Sequence, residues 1–140
     1  MEICILNENN PSLVTLINEC FDVNISSIDI VNTKDKNVRF LCALMDNLVI
    51  GSIMITTIFD PVKNINIYHL DYISVLCEYR NKGIATCLLN YVDDLAKKEN
   101  ISCIELTSNN KRHDAIRLYF KQGYIVRDTN VFYKKVDRGL

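Results

Sequence analysis

Two stretches of the chain hold residues whose types and spacing could do chemistry. In the first, Arg80, Asn81 and Lys82 lead into Gly83, Ile84, Ala85 and Thr86. This run lies between an apolar, β-branched segment ending at Val75 and an amphipathic helical pattern. Helix starts usually recruit acids to meet the positive end of the dipole. Here no acid occurs between Glu78 and Asp93. Cations, small residues and free helix amides in one place make an anion site, with phosphate as the natural guest. A solvated basic loop before a surface helix would share that composition. In the second stretch, Ile67 to Val75, period-two alternation puts His69, Asp71, Ile73 and Val75 on one face and Tyr68, Leu70, Tyr72 and Ser74 on the other. Ionisable side chains on a central strand are costly as core, so proton transfer is expected of them. Asp71 is a candidate carboxylate base and His69 its imidazole rival. A strand-end contact for Asp71 and a core histidine bonded to backbone for His69 remain the structural alternatives.

The elements that must position these groups follow from periodicity and punctuation. Residues 2–6 alternate weakly as a first strand. Asn10 and Pro11 open a helix with Leu13, Leu16, Ile17 and Cys20 on one face, Asn as cap and Pro at the first helical position. Residues 25–34 are ambiguous, with a short second helix as one reading. Val38–Met45 and Leu48–Phe59 read as a hairpin around Asp46-Asn47, and Asp60-Pro61 breaks it. Ile65–Val75 is a further strand. Gly83–Glu99 is a helix with Ile84, Leu88, Tyr91, Val92 and Leu95 on its stripe. A short strand at Ser102–Thr107 follows, then a helix over Arg112–Gln122 stopped by Gly123. Two last strands are expected around Tyr124–Arg127 and Val131–Val136. A βαβ crossover joins the strand ending at Val75 to the one starting at Ser102.

In that context the run from Arg80 to Ala85 resembles the Gln/Arg-x-x-Gly-x-Gly/Ala signature of the GNAT family of N-acetyltransferases. A second segment, from His113 to Tyr124, is similar to the family's Ala-x-x-x-Tyr-x-x-x-Gly-Phe/Tyr pattern, carried by Ala115, Tyr119, Gly123 and Tyr124. The resemblance covers roughly residues 38–136. Ala85 stands where the signature also takes Gly, and Cys77 stands where a proline is common. The resemblance implies a GNAT-like α/β fold, a mixed, mostly antiparallel twisted sheet with helices on both faces. It implies transfer of an acetyl group from acetyl-CoA to a primary amine of a small molecule or peptide by direct attack. Arg80, Asn81, Lys82, Gly83, Ile84, Ala85 and Thr86 would hold the pyrophosphate of the co-substrate. The strand of His69 and Asp71 would splay from Ser102–Thr107 and offer backbone at Ile73 and Val75 to the pantetheine arm. The amide of Val75 would donate to the oxyanion. Asn109 and Arg112 would meet the arm or a phosphate. Tyr119, a core aromatic by helical spacing alone, becomes by resemblance the acid that protonates the departing thiolate. A non-catalytic acyl-CoA-binding or sensing module is the alternative.

Length and composition limit the rest. At 140 residues, 1–140 reads as a single domain with room for an ordinary core. A net charge of −1 argues against nucleic acid as partner. No apolar run approaches the ~20 residues of a membrane span, and no signal-peptide pattern opens the chain. Cys4, Cys20, Cys42, Cys77, Cys87 and Cys103 lack zinc-site spacing. They read as reduced core thiols of a cytoplasmic protein, and no metal is expected. The last strands, as sheet edges, invite a homodimer. The acceptor itself is expected to meet the stretches around Phe21–Ile30 and Phe59–Asn66, where Asp22 is one of the acids suited to a cationic amine.

Overall fold

The computed structural model describes residues 1–32, 37–137 and 139. Its elements are β1 (Glu2–Ile5), α1 (Pro11–Cys20), β2 (Val38–Met45), β3 (Leu48–Asp60), β4 (Ile65–Val75), α2 (Ile84–Lys98), β5 (Cys103–Leu106) and α3 (His113–Lys121). The strands form one sheet in the order β1-β2-β3-β4-β5, antiparallel except for the β4–β5 pair.

Local chemistry explains the boundaries. Asn10 accepts from the Ser12 amide at 3.0 Å and Pro11 occupies the first turn of α1. The Ser12 hydroxyl accepts from the Val49 amide at 2.9 Å, which ties the start of that helix to β3. Asp46 and Asn47 both have positive φ, 48° and 69°, the geometry that matches a two-residue hairpin to strand twist. Asp60 turns the chain into β4 by accepting from the Val62 and Lys63 amides.

Alternation sorts the side chains onto two faces. On one, Leu13, Leu16 and Ile17 of α1 pack with Phe40, Cys42 and Val49. On the other, Leu88, Leu89 and Val92 of α2 pack with Leu41, Ile53, Ile55 and Leu70, joined by Tyr119 of α3. Tyr91, expected on the α2 stripe, is 37% exposed; Leu89 and Ala96 take the buried positions instead.

At the far end of α2, Glu99 forms a bidentate pair with Arg39 of β2 at 2.7 and 2.9 Å. The Tyr68 phenol also donates to Glu99 and accepts from Arg39 at 3.2 Å. Burial pushes that phenol up to about 12. The Arg39 hydrogen bond holds the Glu99 carboxyl below its ordinary value of 4.5. A depressed folded-state value stabilises the fold above the ordinary carboxylate range and loses that stabilisation as the pH falls through the depressed value. The pair is partly solvated, so Glu99→Gln should cost only ~0.5–1 kcal/mol at neutral pH, roughly 2–4 °C of melting temperature. In melts taken as a function of pH, the difference from wild type should close below pH 4.5.

Three expectations differ from the structure. Residues 25–32 form only bends and a turn in place of a second helix, and the rest of that stretch, 33–34, lies outside the described residues. No strand follows α3 among the described residues: 125–137 carry no regular structure, and Ile125, Val131 and Phe132 are 85%, 79% and 91% exposed. Alternation there marks a preference for extended chain and no more; among the described residues the outer edge of β5 stays unpaired. The thiols are free, but only Cys42 is buried, while Cys77 and Cys87 are exposed.

Candidate active site

A single extra residue in β4 shapes the site. Ser52 of β3 pairs with Ser74, and Met54 pairs with Asp71, so β4 spends three steps where β3 spends two. Tyr72 absorbs the difference with φ of 51°. Such a bulge bends the strand and re-aims its side chains. It also overturns the simple alternation over this strand. His69 and Asp71 remain on the α1 face, and Tyr72 joins them by packing edge-on against Phe21 at 5.1 Å. Ile73 and Val75 move to the face covered by α2.

The parallel ladder between β4 and β5 ends at Leu70 and Leu106, directly before the bulge. Beyond that point the strands part. An open cleft of about 680 Å³ fills the gap, lined by Leu70–Ile73 on one side, Thr107–Asn109 on the other, and by Cys20–Asp22, Met54, Arg112 and Tyr119. The Leu76 amide bonds the Ile50 carbonyl at 2.7 Å. By antiparallel alternation, the backbone groups of Val75 and Ile73 then point away from β3, toward the parted side. The Val75 carbonyl on that side accepts from Arg80 Nε at 2.9 Å and lies 3.7 Å from Cys20 Sγ.

Tyr119 is held by the way α3 ends. Gly123 has φ of 91°, its amide bonds Phe120, and the Tyr124 amide reaches back to the Tyr119 carbonyl at 3.0 Å. This is a Schellman closure, which needs a residue tolerant of positive φ at the glycine position. It brings the Tyr124 ring edge-on to the Tyr119 ring at 6.0 Å. Tyr119 is 7% exposed, and burial raises its phenol above the ordinary tyrosine value of 10, against a smaller lowering by Arg112. The phenol therefore stays protonated through the neutral range, as a proton donor must.

The basic loop lies at the end of β4. After a short 3-10 turn at Cys77–Tyr79, Asn81 and Gly83 take left-handed φ values of 61° and 79°. Gly83 is the residue before α2; among the described residues no side chain caps the helix, and its first turn holds no acid. The contrast with α1, capped by Asn10, is direct. The first amides of α2, at Ile84, Ala85 and Thr86, are thus left to an outside acceptor or water. Lys82 lies over the Tyr79 ring at 5.5 Å. The Arg80 guanidinium is turned onto the Val75 carbonyl and Cys20 Sγ.

Of the site residues read from sequence, the cleft thus gathers Asp71, Ile73, Asn109, Arg112 and Tyr119. His69 stands behind Asp71 at 3.5 Å. The Asn109 side chain is engaged locally, accepting from the Lys111 amide at 2.9 Å. Arg112 lies over the Phe21 ring at 5.7 Å. Sequence reasoning passed over Glu105, 3.3 Å from His69. Its signal was a lone charge within the four-residue apolar strand β5. It also passed over Cys20 and Tyr72, which reach the cleft through the end of α1 and the bulge.

Comparison with known proteins gives the family and the fold. The sequence profile of the acetyltransferase (GNAT) family matches residues 7–124. An aminoalkylphosphonate N-acetyltransferase of Salmonella typhimurium is 30% identical over 99 residues, which are 66% of this chain and 60% of that protein. The match thus spans less than two thirds of that relative's length. Among solved structures, a ribosomal-protein-alanine N-acetyltransferase from Brucella melitensis superposes with a TM-score of 0.79 at 20% identity, covering 97% of this chain and 100% of the other. An aminoglycoside acetyltransferase from an uncultured soil metagenomic sample gives 0.83 at 16% identity, covering 97% and 96%. At these identities the two structures speak for the fold.

Proposed function

The chain belongs to the GNAT acetyltransferase family, and from that premise we propose that it moves an acetyl group from acetyl-CoA to a primary amine by direct attack. The observation that carries this reading is the cleft opened where β4 leaves β5, which brings a carboxylate, Asp71, and a protonated phenol, Tyr119, to one space. Bound acetyl-CoA would supply the thioester carbon there. The uncapped start of α2, with Gly83 to Thr86 and Lys82, fits its phosphates. The outward backbone of Ile73 and Val75 fits an extended arm. Asp71 removes a proton from the acceptor ammonium, and Tyr119 gives one to the leaving thiolate.

The acceptor we infer is a small molecule or peptide amine. Asp22 and Asp71 on the cleft wall suit a cationic amine, and Arg112 suits an anionic group carried by the same molecule. The similarity to an aminoalkylphosphonate N-acetyltransferase supports that combination. The same reading takes the cytoplasm as compartment, in keeping with six unpaired thiols, and a second copy as partner of the exposed apolar residues after α3. The test is a free-thiol release assay with acetyl-CoA and a panel of amines that includes aminoalkylphosphonates, amino acids, aminoglycosides and peptide N-termini. Thiol release with none of them would sink the proposal.

Tyr119→Phe checks the acid. The ring stays packed against Tyr124, so the melting temperature should change little. Turnover should fall by ~10²-fold with the acceptor's Michaelis constant nearly unchanged. The high-pH limb of the rate profile, which lies above the ordinary tyrosine value of 10 if it reports this raised phenol, should vanish. A tyrosine that only packs would give full turnover, with any defect confined to the melting temperature.

A further inference from the structure

Three side chains meet on the α1 face of the sheet in one row. The parallel register sets Glu105 of β5 opposite His69 of β4, and Asp71 follows two residues along the same strand. Glu105 Oε1 lies 3.3 Å from His69 Nδ1, and Asp71 Oδ2 lies 3.5 Å from His69 Nε2. Each ring nitrogen therefore faces a carboxylate. From the other neighbouring strand, β3, the residues opposite are Thr56 and Met54, neither charged. The two ends of the row differ in surroundings. Asp71 lines the cleft. The Glu105 side chain is 43% exposed, and His69 between them is more covered, at 25%.

We propose that Asp71, His69 and Glu105 form one proton relay out of the cleft, in which Glu105 is a positioning residue that holds Nδ1–H of His69 and aims Nε2 at Asp71. The inference rests on the acetyl-transfer reading. Asp71 and His69 then are successive members of one path and no longer rivals for one role. A carboxylate that accepts from Nδ1–H fixes the tautomer whose Nε2 carries the lone pair. Asp71 takes the first proton from the acceptor ammonium and passes it to Nε2. The imidazolium so formed gives its Nδ1 proton to Glu105, at the solvent end of the row, which releases it to bulk water, and proton exchange of the partly exposed ring with solvent restores the Nδ1–H tautomer for the next turnover. In the transfer itself the amine nitrogen forms a bond to the acetyl carbon while the carbon–sulfur bond breaks. The thiolate is protonated by Tyr119, and the second proton released by the nitrogen restores that phenol. One proton per turnover is thereby delivered to solvent, which is the proton the relay carries.

The test has two arms. In nitrogen-15 spectra of the ring, His69 should carry its proton on Nδ1 at alkaline pH, and with only two histidines in the chain, His69 and His113, assignment is direct. Glu105→Leu should lose this preference, while Glu105→Gln, whose amide oxygen still accepts, should keep it. In the kinetic arm, Glu105→Leu should lower kcat by ~10-fold at neutral pH, short of the loss from removing the base itself. Both Michaelis constants should hold, and Glu105→Gln should recover part of the rate. The deficit should fade at alkaline pH, where the acceptor is already neutral. Combined with Asp71→Asn, Glu105→Leu should add almost nothing, as expected for members of one path. A wild-type ring protonated on Nε2, a pH-independent deficit, or fully multiplicative losses would each overturn the relay. Wild-type protein that acetylates no amine would instead count against the acetyl-transfer reading, and the ring tautomer still decides the relay geometry.

Discussion

Asp71→Asn is expected to lower turnover by ~10²–10⁴-fold at neutral pH while leaving the affinity for acetyl-CoA in place. The substitution keeps size and shape, and the side chain is 36% exposed on the cleft wall, so little packing is lost. What is lost is an oxygen that can take a proton. An acceptor amine is overwhelmingly ammonium at neutral pH and has no lone pair for attack until that proton leaves. The size of the defect should therefore follow the state of the substrate: large at neutral pH, shrinking as the pH rises and free amine accumulates. Calorimetric titration with CoA separates this from a binding defect, because the loop proposed for the phosphates and the backbone proposed for the arm lie elsewhere. Unchanged turnover at neutral pH would remove Asp71 from the chemistry and leave proton removal to His69 or to bulk water.

The β-rich half of the fold was legible because its signals are local. The Asp46-Asn47 turn, the Asp60 break and the alternation of Ile65–Val75 each act within a few residues, and β2 and β4 run over the spans expected of them. The alternation after α3 misled, because local pattern alone does not make a strand: among the described residues no segment pairs with the outer edge of β5. The bulge was not legible either. Nothing in Asp71-Tyr72-Ile73 announces a positive φ, because Tyr72 is not a residue that prefers one. The extra residue is imposed by the pairing of β3 with β4 and by Phe21 packing on the Tyr72 ring.

That one feature explains where the strand residues of the candidate site fall. Residues before the bulge, His69 and Asp71, share the face that alternation gave them, whereas Ile73 and Val75 crossed to the other. Their side chains matter less to the proposed role than their backbone, and Ile73 still lines the cleft. Glu105 was missed for a different reason. A four-residue strand gives too short a period to assign a face, and its partner is set by a parallel register 36 residues away in sequence. Arg80, near the proposed anion site, bonds the nearby Val75 carbonyl through Nε, a partner that the sequence does not reveal.

Gly83→Glu is expected to weaken CoA binding by at least ~100-fold, the loss of about two charge-assisted hydrogen bonds. Three effects act at this position. Glycine holds φ of 79°, which costs any L-residue roughly 1–2 kcal/mol. A Cβ there meets no atom within 4 Å, so crowding of the protein itself contributes nothing. The carboxylate, finally, would sit at the uncapped start of α2 and compete for the same amides that the phosphates need, while repelling them. Gly83→Ala isolates the first effect: it should lower the melting temperature modestly and weaken CoA far less than the glutamate does. The glutamate variant should keep its helical circular dichroism, because the residue precedes the helix, and its capping carboxylate offsets part of the strain. Raising the salt concentration should weaken CoA binding to wild type and alanine variant alike, since both rely on Lys82 and the helix dipole. A folded glutamate variant that binds CoA as tightly as wild type by calorimetry would place the phosphates away from this loop.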